Sequence, residues 1–105
     1  MVNWYTTETV AGKEIKEHIG VATGSTIRAR NIGRDIIAGL RTIVGGEVPE
    51  YTEMMAHSRN QAVERMLQKA VDMNADAVVC VRFSTAMIMQ GTAEVMAFGT
   101  AVKFK

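Results

Sequence analysis

Outside its methionines, the chain offers three side chains that favour soft or borderline metals: Cys80, His18 and His57. Thiolate and imidazole are the groups that hold zinc and its neighbours, and a structural zinc takes four ligands, so this supply is one short. Glu53 stands four residues before His57, a spacing that puts both on one helical face, where they could share a metal. The same spacing more often marks a solvated pair on a helix surface. Met54 and Met55 add thioethers that suit copper, but eight methionines on apolar stripes more often fill core and interface. The metal candidates are therefore His18, Glu53, His57 and Cys80. A complete site needs donors repeated from further copies of the chain.

A second chemistry is anion binding. Gly24-Ser25-Thr26 can present backbone N–H groups and hydroxyls, and Arg28, Arg30 and Arg34 follow within a few residues. Guanidinium groups beside a helix start are planar donors for phosphate or carboxylate. No glycine-rich phosphate-loop spacing accompanies them. The competing use of Ser25, Thr26, Arg28, Arg30 and Arg34 is at an interface, with the arginines paired to Asp35, Glu47, Glu50 or Glu53 within or between subunits, a role that favours Arg over Lys. Covalent catalysis has no assembled candidate. A nucleophile needs a base within reach and an orienting group behind it, and neither the two histidines nor Ser25 and Thr26 stand in such a pattern. An enzyme would need a site shared between subunits. No catalytic residue and no cofactor site is assigned.

Composition narrows the partners. Twelve basic and eleven acidic residues leave a formal charge of +1, without the basic excess of a dedicated nucleic-acid binder. Arg28, Arg30, Arg34 and Arg41 are clustered, with Asp35 as the acidic residue among them. One cysteine excludes an intrachain disulfide, and Ala77-Val78-Val79-Cys80-Val81 reads as an apolar strand carrying a small buried side chain. The first residues lack the basic start and long apolar stretch of a secretory signal, and no window nears the ~18 apolar residues of a membrane span. A cytoplasmic protein is expected, one domain over residues 1–105. That length buries roughly 60 to 65% of the surface that the unfolded chain exposes.

The elements that must position these groups are legible from periodicity. Trp4 to Thr7 is aromatic and β-branched and predicts a short strand, turned at Gly12. Ile15 to Ile27 predicts a second strand, with Ile15, Ile19 and Val21 near one face and with Gly20 and Gly24 marking a bulge or a close backbone approach. Asn31 caps a helix whose apolar residues Ile32, Ile36, Ile37, Leu40, Ile43 and Val44 recur at helical steps. Gly45-Gly46 ends it. A long helix starts at Pro49 and runs to about Met73, with Tyr51, Met55, Ala62, Met66, Ala70 and Met73 as its buried stripe. After a turn at Asn74-Ala75-Asp76, Ala77 to Phe83 predicts a strand covered on both faces. Ser84 to Gly91 reads as an apolar connection through Met87-Ile88-Met89. Thr92 to Phe104 alternates as a final strand, with Met96, Phe98, Val102 and Phe104 on one face.

The fold class is therefore α+β, an antiparallel sheet packed on a long helix. One helix covers one sheet face, yet the last strand is apolar on both. An unpaired apolar patch of that kind marks an interface, here with other copies of the chain. The alternative cover is the helix from Asn31 to Val44.

Gly24-Ser25-Thr26, Arg30-Asn31-Ile32-Gly33-Arg34-Asp35, Val44-Gly45-Gly46-Glu47, Tyr51 with Arg59, Ala75-Asp76-Ala77-Val78-Val79 and Phe98-Gly99-Thr100-Ala101-Val102 together resemble the YbjQ-like proteins, over nearly the whole chain. The resemblance implies a β-α-β-β unit with extra short strands, similar to a dodecin subunit. It also implies assembly into a pentameric ring, or stacked pentamers, with a binding or scaffolding role toward an unknown ligand. The label of heavy-metal-binding domain that goes with this family implies a metal at most, with sites built at subunit interfaces.

Overall fold

The structure, a computed structural model, describes residues 2–29 and 49–105. The expected helix from Asn31 to Val44, the Gly45-Gly46 break, and Arg30 and Arg34 lie outside the described residues. Among the described residues four strands and one helix follow in the order β1 (Asn3–Trp4), β2 (Ile15–Ala29), α1 (Pro49–Asp72), β3 (Ala77–Met89) and β4 (Thr92–Phe104). The strands form one sheet in the order β1-β3-β4-β2. β2 and β3 both run antiparallel to β4, whereas β1 pairs parallel to β3 at Asn3↔Ala77 and Trp4↔Val78. The sheet is thus mixed rather than purely antiparallel. Strand direction at an edge is set by where the chain enters, which no local pattern records.

The first strand is also shorter than Trp4 to Thr7. The chain bends after Trp4 because β3 itself is bulged there: Val79 faces Thr100 and Arg82 faces Phe98, so β3 carries one residue too many. Cys80 takes up the excess with φ of 56°, and Gly99 of β4 fills the opposite position. A Cβ on Gly99 would lie 2.7 Å from Val78 Cγ1 and 2.9 Å from Val81 Cγ2. Bulges of this type re-aim side chains and bend the strand. The segment after β1 follows the bend through irregular bonds: Tyr5 N–H donates to the Val78 carbonyl at 2.8 Å, Val81 N–H to that of Tyr5 at 2.9 Å, and Cys80 N–H to that of Thr7 at 3.0 Å. Arg82, the one charge of the apolar run, donates from Nη1 to the Thr6 carbonyl at 2.9 Å.

The Ser84 to Gly91 connection is not a connection. β3 continues to Met89, with Ser84, Thr85, Ala86 and Met87 opposite Met96, Val95, Glu94 and Ala93, and turns into β4 through Gln90-Gly91. Gly91 takes φ of 80°, which a residue with a Cβ adopts at a cost. The apolar triplet at 87–89 is therefore the end of a hairpin arm.

α1 ends in a Schellman motif. Ala75 N–H donates to the Ala70 carbonyl and Asn74 N–H to that of Val71, each at 3.0 Å, with Asn74 left-handed at φ 61°. Ser58, Ala62, Met66 and Ala70, four residues apart, are fully buried. Small residues on this stripe let the helix lie almost on the backbone of β2, where Gly24 leaves the space: a Cβ there would fall 2.2 Å from Met66 N and 2.3 Å from the Ala62 carbonyl oxygen. α1 runs along β2 and β4 and barely reaches β3. The core beneath it joins Ala22, Val78, Val81, Val95, Ala97 and Ala101 to the helix stripe.

On the other face the described residues form a smaller core, at one end only. There residues 5–14 fold back and bring Val10 and Tyr5 over Ala77, Val79, Val102 and Phe104. Beyond it, toward the β3–β4 turn, alternation from the buried Ala22, Thr26, Val95 and Ala97 places Val21, Thr23, Ser25 and Ile27 of β2 on this far face, with Met96 and Phe98 of β4. Val21 and Ile27 are 67% and 60% exposed, and Ile88 near the turn 53%. No helix among the described residues is long and apolar enough to cross a membrane.

Candidate functional site

Two cavities hold the groups with chemical potential. The first lies between the N-terminal half of α1 and the hairpin. On the helix side of β2, alternation after Ala22 and Gly24 brings up Thr26 and then Arg28. Thr26 is buried. Gln61 projects from α1, one position before the buried Ala62, and its Oε1 accepts from Arg28 Nη2 at 2.8 Å and, at a long 3.5 Å, from the Thr26 hydroxyl. This contact joins residues 33 apart in sequence and fixes the guanidinium against the helix. Arg28 Nε is buried without a hydrogen-bond partner, the one such side-chain nitrogen or oxygen among the described residues. An orphaned buried donor costs about 1–3 kcal/mol, and more on a charged group. The adjoining cavity is about 250 Å³, lined by Arg28, Met54, Met55, Ser58, Thr85, Met87, Ala93 and Val95. The Ser58 hydroxyl is engaged as a donor to the Met54 carbonyl at 2.8 Å. Arg28 is thus the one charged group in an otherwise largely apolar lining.

The second cavity, about 550 Å³, lies on the far face under the 5–14 segment. His18, Cys80 and Lys13 line it with Glu8 and Glu14. Cys80 reaches it half-buried, because the bulge turns its side chain out of the strictly alternating pattern. Glu14 also pairs with Lys105 at 2.9 Å, a solvent-exposed bridge of little energetic weight.

The metal candidates do not gather. His18 and Cys80 share the far-face cavity, while Glu53 and His57 stand exposed on α1. Among the described residues no three His, Cys, Asp or Glu side chains are placed to hold a metal ion. The donors brought together among the described residues do not fit such a centre.

The anion candidates divide. Strand alternation puts Thr26 and Arg28 under the helix and the Ser25 side chain on the opposite face. Ser25 contributes its carbonyl to the helix side of the structure all the same, accepting from Arg65 Nη1 at 2.7 Å. Gln61 was missed in the sequence. Its signal is its place beside the Ser58-Ala62-Met66 stripe, which is visible only once β2 is known to run underneath.

Comparison with known proteins places this geometry among relatives. A family model described as "Putative heavy-metal-binding", that of the YbjQ-like proteins, matches residues 2–105. A UPF0145 protein of Psychromonas ingrahamii is 56% identical over 100 residues, covering 95% of each chain. One of Methanosarcina acetivorans is 55% identical over 98 residues, covering 93% of this chain and 92% of its own. Among solved structures, a Pediococcus pentosaceus protein of unknown function from the DUF74 family superposes with a TM-score of 0.71. That match covers 99% of this chain and 98% of the other at 16% identity, which is a likeness of fold.

Proposed function

Because the chain belongs to the YbjQ-like family of UPF0145 proteins, we propose that it acts as a self-assembling cytoplasmic binding or scaffolding protein, a homo-oligomeric ring that is pentameric by the family resemblance. The observation that carries this reading is the end of the sheet that no described residue covers. Val21, Ile27, Phe83, Met87, Ile88 and Met89 are large apolar side chains left in contact with solvent. Ile27 and Ile88 stand on the far face, while Phe83 and Met87 pair with Ala97 and Ala93 on the helix side. Exposed apolar groups thus flank the hairpin on both faces, and apolar surface of this kind commonly marks an interface.

Both long sheet edges support a head-to-tail arrangement. β2 ends the strand order on one side. On the other, β1 pairs with β3 only at Ala77 and Val78, so among the described residues the outer edge of β3 from Phe83 to Met89 has no strand beside it. An unpaired edge templates a further strand. Two different edges on one chain give a heterologous contact, and such contacts close into rings when the rotation per subunit allows. A contact of standard size buries about 800 Å² per partner, enough to cover this end of the sheet.

The test compares two Asp substitutions by sedimentation. Ile88→Asp should break or shrink the assembly, whereas Lys69→Asp, on the solvent side of α1, should leave it intact. Equal sedimentation of both variants and the unmodified protein would remove the hairpin end from the interface.

A further inference from the structure

The geometry points to the cavity between α1 and the hairpin as a binding site for a small amphipathic carboxylate, with its acid group on Arg28 and its apolar body among Met54, Met55 and Met87. Three observations carry it. Arg28 Nε is buried and unpartnered, so a guanidinium already held by Gln61 keeps an unused donor directed away from solvent. A carboxylate is the group that satisfies Nε–H together with a neighbouring Nη hydrogen, because its two oxygens match the planar fork.

The remaining lining selects the rest of the ligand. Met54, Met55, Met87, Ala93 and Val95 offer no second charge, so a multiply charged anion such as phosphate would leave most of its oxygens facing thioether and methyl groups. Methionine adapts its shape to what it touches, as it does on surfaces that accept varied apolar partners. Size sets the scale. A cavity of about 250 Å³ corresponds to roughly eight to ten water-sized groups, the bulk of a medium-chain or aromatic monocarboxylic acid. The lining residues all belong to one chain, and Met87 is shared with the hairpin end that the proposed assembly covers.

Titration calorimetry on the intact protein tests this with three probes: octanoate, octanol and inorganic phosphate. Octanoate should bind saturably, one per chain, with octanol at least about tenfold weaker and phosphate giving no saturable heat. Arg28→Gln should weaken octanoate at least about tenfold, with its fold checked by circular dichroism. Met54→Glu, which brings a carboxylate of its own to the cavity from α1, should do the same by like-charge repulsion, and it carries the test alone should Arg28→Gln fail to fold. Light scattering on each sample separates loss of ligand from loss of assembly. The proposal is overturned if octanoate shows no saturable binding, if octanol or phosphate matches it, or if folded Arg28→Gln or Met54→Glu retains the original affinity.

Discussion

Gly24→Ala is the sharpest perturbation of the helix–sheet contact. The new Cβ would sit 2.2 Å from Met66 N, 2.3 Å from the Ala62 carbonyl oxygen and 2.7 Å from the Arg65 carbonyl carbon. All three are backbone atoms in the middle of α1, so no side chain can rotate away. Ordinary contact begins near 3.4 Å, and the helix must retreat by on the order of 1 Å. A gap of that size forfeits a quarter to a half of each dispersion contact it opens. The contacts at risk belong to Ser58, Ala62, Met66 and Ala70, all fully buried. Overpacking typically costs about 1–3 kcal/mol, and backbone against backbone lies at or above the top of that range. The lower chain entropy of Ala in the unfolded state returns about 0.4–1 kcal/mol. A net loss of about 2–3 kcal/mol follows, or a fall in Tm of roughly 8–24 °C for a domain of this size. Gly20→Ala is the internal control: its Cβ would meet only the flexible Met73 Cε, at 3.3 Å, and should change stability by less than about 1 kcal/mol. Urea unfolding followed by circular dichroism, at one fixed protomer concentration, measures both. Gly24→Ala within about 1 kcal/mol of the unmodified protein, or equal to Gly20→Ala, would refute the close approach.

Asn74→Ala should cost about 1–2 kcal/mol and Asn74→Gly almost nothing, because the position is left-handed and closes the Schellman motif; thermal melts decide. Cys80→Val should destabilise by about 1–3 kcal/mol while Cys80→Gly keeps the bulge, since a β-branched side chain resists φ of 56°; urea unfolding separates them. Removing divalent metal with a chelator should move Tm by less than about 2 °C, because the apolar core under α1 forms without a metal. A large drop would bring His18, His57 and Cys80 back as ligands.

The parts of the fold that a period encodes were legible in the sequence. Pro49 opens α1, and Thr92 and Phe104 bound β4 where its alternation begins and ends. β2 extends two residues past Ile27, to Ala29. Gly20 and Gly24 signalled what they do: the register slips between His18 and Gly20, and the helix backbone presses on Gly24. Features that depend on a partner far along the chain were not legible. Met87-Ile88-Met89 has no alternation of its own and becomes strand because β4 stands opposite. The Cys80 bulge shows only against Gly99, nineteen residues later, and the parallel β1 only against β3. For the candidate site, Thr26 and Arg28 were named from their types, but Gln61 and the methionine lining come from α1 crossing β2. Ser25 was grouped with them by proximity in sequence, which on a strand places neighbours on opposite faces.

Whether the chain assembles is decided by the mass of the unmodified protein in solution, from light scattering at micromolar concentration. A self-assembling ring predicts one species at a fixed multiple of the 11.5 kDa chain, five if the family resemblance holds. It should persist on dilution, as expected of an interface that covers the β3–β4 arm. A stable monomer of 11.5 kDa, soluble with Val21, Ile27 and Ile88 in water, would contradict it.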